Sequence, residues 1–328
     1  MVLLTLVVVA ALAFDFINGF HDTANAIATV VSTRVLTPRV AIIMASVLNL
    51  VGALVATGVA KTIAGDIVPG DVATTTLTLA AVVGGITWNL VTWFYGIPSS
   101  SSHALIGGLV GAALAHAGTA GVKWQGLVAK VIIPLIASPL IGFAVGWTIM
   151  TVIALFFANA KPRTVGSLFR RAQIVSAAAM AYAHGNNDAQ KSMGIITLAL
   201  ISANMQTSHD VPLWVKLSCA IVMALGTSVG GWRIIKTMGH KIIRLEPVNG
   251  FAAETAGAAT ILTASHFGAP VSTTHVIASS IFGVGASKRL SAVKWDVALN
   301  MVIAWVLTIP ASALVGALVY WLLSLLHL

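Results

Sequence analysis

Apolar residues along the chain come in long, nearly unbroken blocks separated by short polar interruptions. The blocks fall at about 1 to 33, 40 to 60, 75 to 96, 98 to 117, 125 to 157, 172 to 203, 212 to 234, 249 to 267, 270 to 287 and 295 to 327. Blocks near 20 residues match the length at which a helix crosses roughly 30 Å of hydrocarbon. A transmembrane barrel would instead alternate in polarity over segments of about 10 residues. The pattern therefore predicts an all-α polytopic membrane protein. Helix breaks are expected near Asn18 and Gly19 in the first block and near Gly185 in the sixth. The 125 to 157 block carries Pro134 and Pro139 and fits one kinked helix or two shorter pieces equally well.

The polar interruptions repeat. "GFHDTANAIA" from Gly19 lines up with "GNNDAQKSMG" from Gly185, pairing Asp22 with Asp188 at an offset of 166. "GIPSSSSH" from Gly96 lines up with "GAPVSTTH" from Gly268 at an offset of 172, and "VKW" at 122 to 124 recurs at 293 to 295, an offset of 171. One nearly constant offset over half the chain points to duplication. The expected organisation is an N-terminal repeat over 1–157, a cytoplasmic linker over 158–171 and a C-terminal repeat over 172–328.

Composition sharpens the class. Of 328 residues, 58% are hydrophobic and 8% charged, against about 25% charged for an ordinary soluble domain. The formal charge of +9 sits in short loops rather than in one basic domain, so no nucleic-acid partner is expected and the cations read as topology signals. Cys219 is the one cysteine, which excludes an intrachain disulfide and a cysteine metal cluster. No Lys or Arg precedes Arg34, which argues against a cleaved signal peptide. Lys161, Arg163, Arg170 and Arg171, and Arg233, Lys236, Lys241 and Arg244, mark two cytoplasmic loops. If each "G-x-P-polar" stretch is the tip of a re-entrant helical hairpin, Arg34, Arg39, Lys288, Arg289 and Lys294 also fall inside, and Asp66 and Asp71 outside. Each half then makes an odd number of crossings, so the repeats have inverted topology. Lys123 falls outside, against the trend.

A chain that interrupts a helix at membrane depth must satisfy its freed backbone groups from protein or a water-filled cavity, and paired interruptions in inverted repeats are a mark of secondary transporters. In both tips hydroxyls follow a proline where a helix starts, and helix starts expose N–H groups and partial positive charge. Two such starts meeting would suit an oxyanion, although plain capping of ordinary helices gives the same residues. An anion there leaves Asp22 and Asp188 to hold the cation or proton that travels with it. Asp15, seven residues before Asp22 on roughly the same helical face, and Glu254 are further candidates for a proton or ion relay, although Asp15 fits a plain interfacial place as well. His21 and His184 flank the acids and fit titration or plain structural hydrogen bonding. No spacing matches a helix-borne metal motif.

In these residues the chain resembles the inorganic phosphate transporter (Pit) family, whose signature is a duplicated "G-x-N-D-x-x-N-A"-like element. "GFHDTANA" and "HGNNDAQK" are similar to its two copies, and "GIPSSSSH" and "GAPVSTTH" to its paired "G-x-P-x-S-x-T-H" elements. The resemblance implies a symporter of inorganic phosphate with a cation, not an enzyme, embedded in lipid as a multi-pass protein of a bacterial inner membrane and working as a homodimer. It assigns phosphate to Ser100, Ser101, Ser102, Ser272, Thr273 and Thr274, and coupling to Asp22, Asn25, Asn187 and Asp188, with Glu254 a further relay candidate; sodium would sit at Asp22, Asn25 and Asp188. No resident metal or cofactor is implied, only co-transported H+ or Na+. Two departures bear on coupling. His21 stands where sodium-coupled members tend to have Asn, and Lys191 stands opposite Asn25. An ammonium at that place can substitute for a bound sodium and pair with Asp188, which favours proton symport, with a neutral metal–phosphate complex among the cargoes. The alternatives are a sodium-coupled phosphate symporter, a sulfate or other oxyanion permease of the same fold, an intramembrane serine hydrolase, and a passive anion channel.

Overall fold

In a computed structural model of the chain, residues 1–326 are described, the side chain of His240 excepted; the last two positions of the 172–328 repeat lie outside the described residues. The regular elements are all helical: α1 Val2–Ser32, α2 Pro38–Ala53, α3 Gly58–Gly65, α4 Thr75–Tyr95, α5 Ser101–Ala117, α6 Trp124–Leu127, α7 Ile133–Phe156, α8 Pro162–Ser202, α9 Leu213–Val229, α10 Trp232–His240, α11 Pro247–His266, α12 Thr273–Lys288 and α13 Trp295–Leu325. The element order runs twice: a long helix, a bent pair, a helix, a tip helix and a long helix. The bent pairs are α2–α3 at 65° and α9–α10 at 71°. Outward-facing Val40, Ile43, Val47 and Val51 on α2, and Ile133, Ile136 and Leu140 on α7, recur at helical spacing and leave apolar faces exposed, as a lipid-facing surface requires.

The long helices α1 and α8 cross antiparallel. Near one end of the crossing Thr33 Oγ1 donates to Gln173 Oε1 at 2.9 Å and Arg170 Nη2 to the Arg34 carbonyl at 3.1 Å; toward the other, Asp15 lies beside Ser192. Two hairpins, α4–α5 and α11–α12, flank this pair. The loops bounding the first hairpin lie together, since Lys123 N donates to Ile67 O at 2.9 Å. Those bounding the second also meet, Lys294 N donating to Ile242 O at 3.1 Å. Each hairpin therefore enters and leaves on one side. Lys61 pairs with Asp210 at 2.7 Å at the first hairpin's open end. The end that holds Arg34 and Arg170 carries most of the cations: besides buried Lys191, only Lys61, Lys123, Lys130 and Lys216 lie toward the other. The positive-inside rule associates such an Arg-rich end with the cytoplasmic face. Lys123, the outlier in charge, has a local partner: its ammonium donates to Gly65 O at 2.7 Å, at the C-terminus of α3, where a cation opposes the helix dipole.

Helix breaks occur, but not where the polar interruptions suggest. α1 runs unbroken through Asn18 and Gly19, and α8, 41 residues long, through Gly185. These glycines serve close packing instead: a Cβ on Gly19 would lie 2.5 Å from Met223 O, and one on Gly185 2.2 Å from Asn49 O. The loop expected over 158–171 is helical from Pro162, with proline in its favoured first-turn place. The block from 125 is one helical run, Trp124–Phe156, with a π turn over Val128–Ile132. The wider turn falls just ahead of Pro134, whose ring and missing N–H disturb the ordinary ladder there.

Candidate functional site

Both tips are built alike. Gly96 and Gly268 adopt φ of 66° and 67°, a left-handed conformation that glycine takes without penalty and that turns the chain at the end of α4 and just past α11. After the prolines Pro98 and Pro270, Ser100 and Ser272 cap α5 and α12: each hydroxyl oxygen accepts from a backbone N–H three residues on, His103 or His275, at 3.2 Å. Each tip is also held by the short half of the other repeat's bent pair. Thr237 of α10 donates to Gly96 O at 3.1 Å, and Thr62 of α3 donates to Gly268 O at 2.8 Å.

The two helix starts meet. Ser102 Oγ donates to Val271 O at 3.2 Å, the His103 and His275 rings are 4.9 Å apart, and His275 stacks on Trp305, whose indole N–H donates to Pro98 O. Residues 99 to 102 and 272 to 274 are at most 2% exposed, so the tips are sealed in this conformation. Of the other tip hydroxyls, Ser101 alone is without a hydrogen-bond partner, Ser102 and Thr273 donate to Val271 O and Asp188, and Thr274 accepts from Asn25; the N–H groups of a helix's first turn have no partner within the helix. Ser272→Ala is expected to cost about 1 kcal/mol of stability through the lost cap, measured as a lower thermal midpoint in detergent.

The buried acids join these tips. His21 Nδ1 lies 2.6 Å from Asp22 Oδ1, His21 Nε2 lies 3.0 Å from Thr92 Oγ1, and Ser99 donates to Thr92 at 2.8 Å, linking Asp22 to the first tip. Asp188 Oδ2 accepts from Thr273 at 3.2 Å, linking it to the second. The Lys191 ammonium pairs with Asp188 Oδ1, both fully buried, one helical turn apart. His184 Nε2 stands 3.3 Å from Asp188, and its Nδ1 is 3.0 Å from Asn49 Oδ1. Ligand atoms of Asp22, His184 and Asp188 lie within 4.8 Å of one another. Asn25 Nδ2 donates to Thr273 and Thr274 at 3.1 and 2.9 Å, and Asn187 Nδ2 to Ser265 at 2.8 Å. The carbonyl oxygens of both amides are without a hydrogen-bond partner.

Most sequence-marked residues thus converge, while Asp15 and Glu254 stand apart. Glu254 accepts from Thr29, Gln173 and Ser176 at 2.5, 3.0 and 2.5 Å, a turn along α1 from Asn25, and has no hydrogen bond to Asp22 or Asp188. Sequence reasoning misses Thr62, Thr92, Thr237 and Asn49. Their one available signal is weak: a single hydroxyl or amide in an apolar helix tends to bond across to a neighbour.

Comparison with known proteins follows the same lines. The profile of the phosphate transporter family matches residues 18–316. A Bacillus subtilis protein named "Probable low-affinity inorganic phosphate transporter" is 54% identical over 332 residues, covering 99% of this chain and 98% of that one. A protein of the same name from Rhizobium meliloti is 49% identical over 321 residues, covering 97% and 96%. A solved sodium-dependent phosphate transporter superposes with a TM-score of 0.89 at 27% identity, over 99% of this chain and 100% of that one.

Proposed function

The chain belongs to the phosphate transporter family, and from that premise we propose that it is a proton-coupled symporter of inorganic phosphate in which Lys191 fills a cation place. It is a multi-pass inner-membrane transporter rather than an enzyme; the coupling ion, the residue roles and the arrangement of its halves are our reading. The observation that carries it is the Lys191–Asp188 pair at 0% exposure. A buried carboxylate that already holds a fixed ammonium has no need of a bound sodium there; its counterpart in the first half, Asp22, is engaged by His21, and neutral Asn25 stands at the place of Lys191.

In this reading Ser100, Ser101, Ser102, Ser272, Thr273 and Thr274 and the two helix starts replace the water around phosphate. Asp22, Asn25, Asn187 and Asp188 with Lys191 form the coupling centre, and Glu254 belongs to a relay on its cytoplasmic side. Residues 1–157 and 172–328 are inverted repeats, supported by the antiparallel α1 and α8 and by hairpins that enter from opposite ends. Alternating access then releases one sealed tip at a time. Because the tips offer donors without a fixed cation, a neutral divalent metal–phosphate complex is an accepted cargo. A homodimer as working unit rests on family resemblance.

The test is labelled phosphate uptake into proteoliposomes under separately imposed gradients. We expect a pH gradient, acidic outside, to drive accumulation without sodium, and excess sulfate to leave it intact. Uptake that needs sodium at fixed pH and ignores collapse of the proton gradient overturns the coupling assignment; competition by sulfate overturns the cargo.

A further inference from the structure

Among the buried acids of the described residues, one is held only loosely. Asp22 is engaged by His21, Asp188 by Lys191 and Thr273, and Glu254 by three donors. Asp15 is 0% exposed, and neither of its carboxylate oxygens makes a hydrogen bond of ordinary length and angle, the donors beside it being the Ser192 hydroxyl and the Cys219 thiol. A buried polar group left unsatisfied is rare and calls for a reason. The setting of this one is specific. Asp15 lies on α1 two helical turns, about 10 Å, to the outer side of Asp22. Ser192 of α8 and Cys219 of α9 lie alongside it, and Lys191 and Asp188 are near enough to act on it electrostatically. The Ser192 hydroxyl is buried within reach of Asp15, and it neighbours Lys191 in the chain. Asn18, one turn on toward Asp22, has no partner for its amide nitrogen or its oxygen. Among the helices beside it, α4 carries Tyr95 as its one titratable side chain, and it is exposed, while Lys216 of α9 donates to Leu54 O at 3.4 Å.

We propose that Asp15 is the residue that carries the coupled proton, receiving it from the outer side and passing it by way of Ser192 toward the Lys191–Asp188 pair. This rests on the proton-symport reading and gives it a carrier. A carrier must gain and lose a proton without breaking a bond that the fold depends on, and Asp15 is the buried acid that meets this condition. Bond changes are limited to O–H. One O–H forms on the Asp15 carboxylate as water on the outer side gives up a proton. That O–H breaks as the proton passes on and leaves to water on the inner side, while phosphate crosses with its covalent bonds unchanged. Ionisable groups at membrane depth mark such relays.

The experiment uses the full chain in proteoliposomes and compares wild type with Asp15→Asn and Asp15→Glu. Two readouts are taken: exchange of labelled for unlabelled phosphate with no gradient, and phosphate-linked proton entry followed by an internal pH dye. Exchange needs the binding site and its movement but no net proton transfer. Asp15→Asn is expected to keep exchange while proton entry and pH-driven net uptake fall by about 100-fold, the scale of a lost proton-transfer group; Asp15→Glu restores both. Wild-type rates of proton entry in Asp15→Asn overturn the proposal, and so does loss of exchange along with uptake, which marks a packing role. Should wild type itself move no protons with phosphate, the symport reading fails first, and the control shows it.

Discussion

Phosphate uptake by a Lys191→Asn protein is expected to be silent in potassium medium and to return when sodium is added. The substitution installs at position 191 the residue found at its repeat counterpart, Asn25. It thereby exchanges a fixed ammonium on Asp188 for a neutral carbonyl oxygen. Asp188 then keeps Thr273 and His184 but loses its covalently tethered counter-charge. Breaking one side of a buried ion pair typically costs about 3–5 kcal/mol, of the order of the whole stability of many folded proteins. A free cation that binds the same place recovers that loss by mass action. Lys191→Ala, which offers no oxygen, is expected to stay inactive in either medium and to be the less stable of the two. The measurement is the initial rate of labelled phosphate uptake with and without sodium, together with thermal midpoints under the same conditions. Full activity of Lys191→Asn in potassium medium would remove Lys191 from the coupling centre.

The pairing behind that expectation shows which parts of the molecule are legible in a sequence. Opposing Lys191 to Asn25 needed only the duplicated motif, because local repetition survives as residue types at a constant offset. The re-entrant tips were legible for a similar reason: Gly, Pro and Ser in a fixed order encode a left-handed turn and a capped helix start within a few residues, and the structure places them as expected. What the sequence hides is set by partners far along the chain. Thr62 and Thr237 hold the opposite tips through hydroxyls that look like any threonine in an apolar helix. Asn49 belongs to the site only through His184, 135 positions away. Glu254 is legible as an ionisable residue in an apolar segment, but its ring of Thr29, Gln173 and Ser176 comes from two other helices. Polar residues beside glycine suggested broken helices at Gly19 and Gly185, since one letter serves both for a flexible backbone and for a place where another backbone must pass.

Those two meanings of glycine predict opposite outcomes for Gly185→Ala. Where a glycine is only flexible backbone in a helical conformation with nothing close to it, alanine is the better residue and adds roughly 0.5–1 kcal/mol of stability. Here the new methyl would lie 2.2 Å from Asn49 O and 2.4 Å from Asn49 Cα, atoms of backbone that no rotamer change can withdraw. On the facing helix Gly52 is pressed the same way, 2.2 Å from Tyr182 O were it given a Cβ, so neither α2 nor α8 has slack at the crossing. The helices must part, and over-packing of this kind costs about 1–3 kcal/mol or more. Separation also draws His184 from Asn49 and Asn186 from Gly52 O, now bonded at 3.0 and 3.2 Å, and tilts the turn that presents Asp188 to the second tip. We therefore expect Gly185→Ala to lower both the thermal midpoint and phosphate uptake. Gly166 supplies the control on the same helix, since a Cβ there meets nothing within 4 Å. Gly166→Ala should be neutral or stabilising by up to about 1 kcal/mol, with uptake unchanged. A stabilised, fully active Gly185→Ala would mean that α2 and α8 do not cross this closely, and the placement of Asp188 would have to be rebuilt.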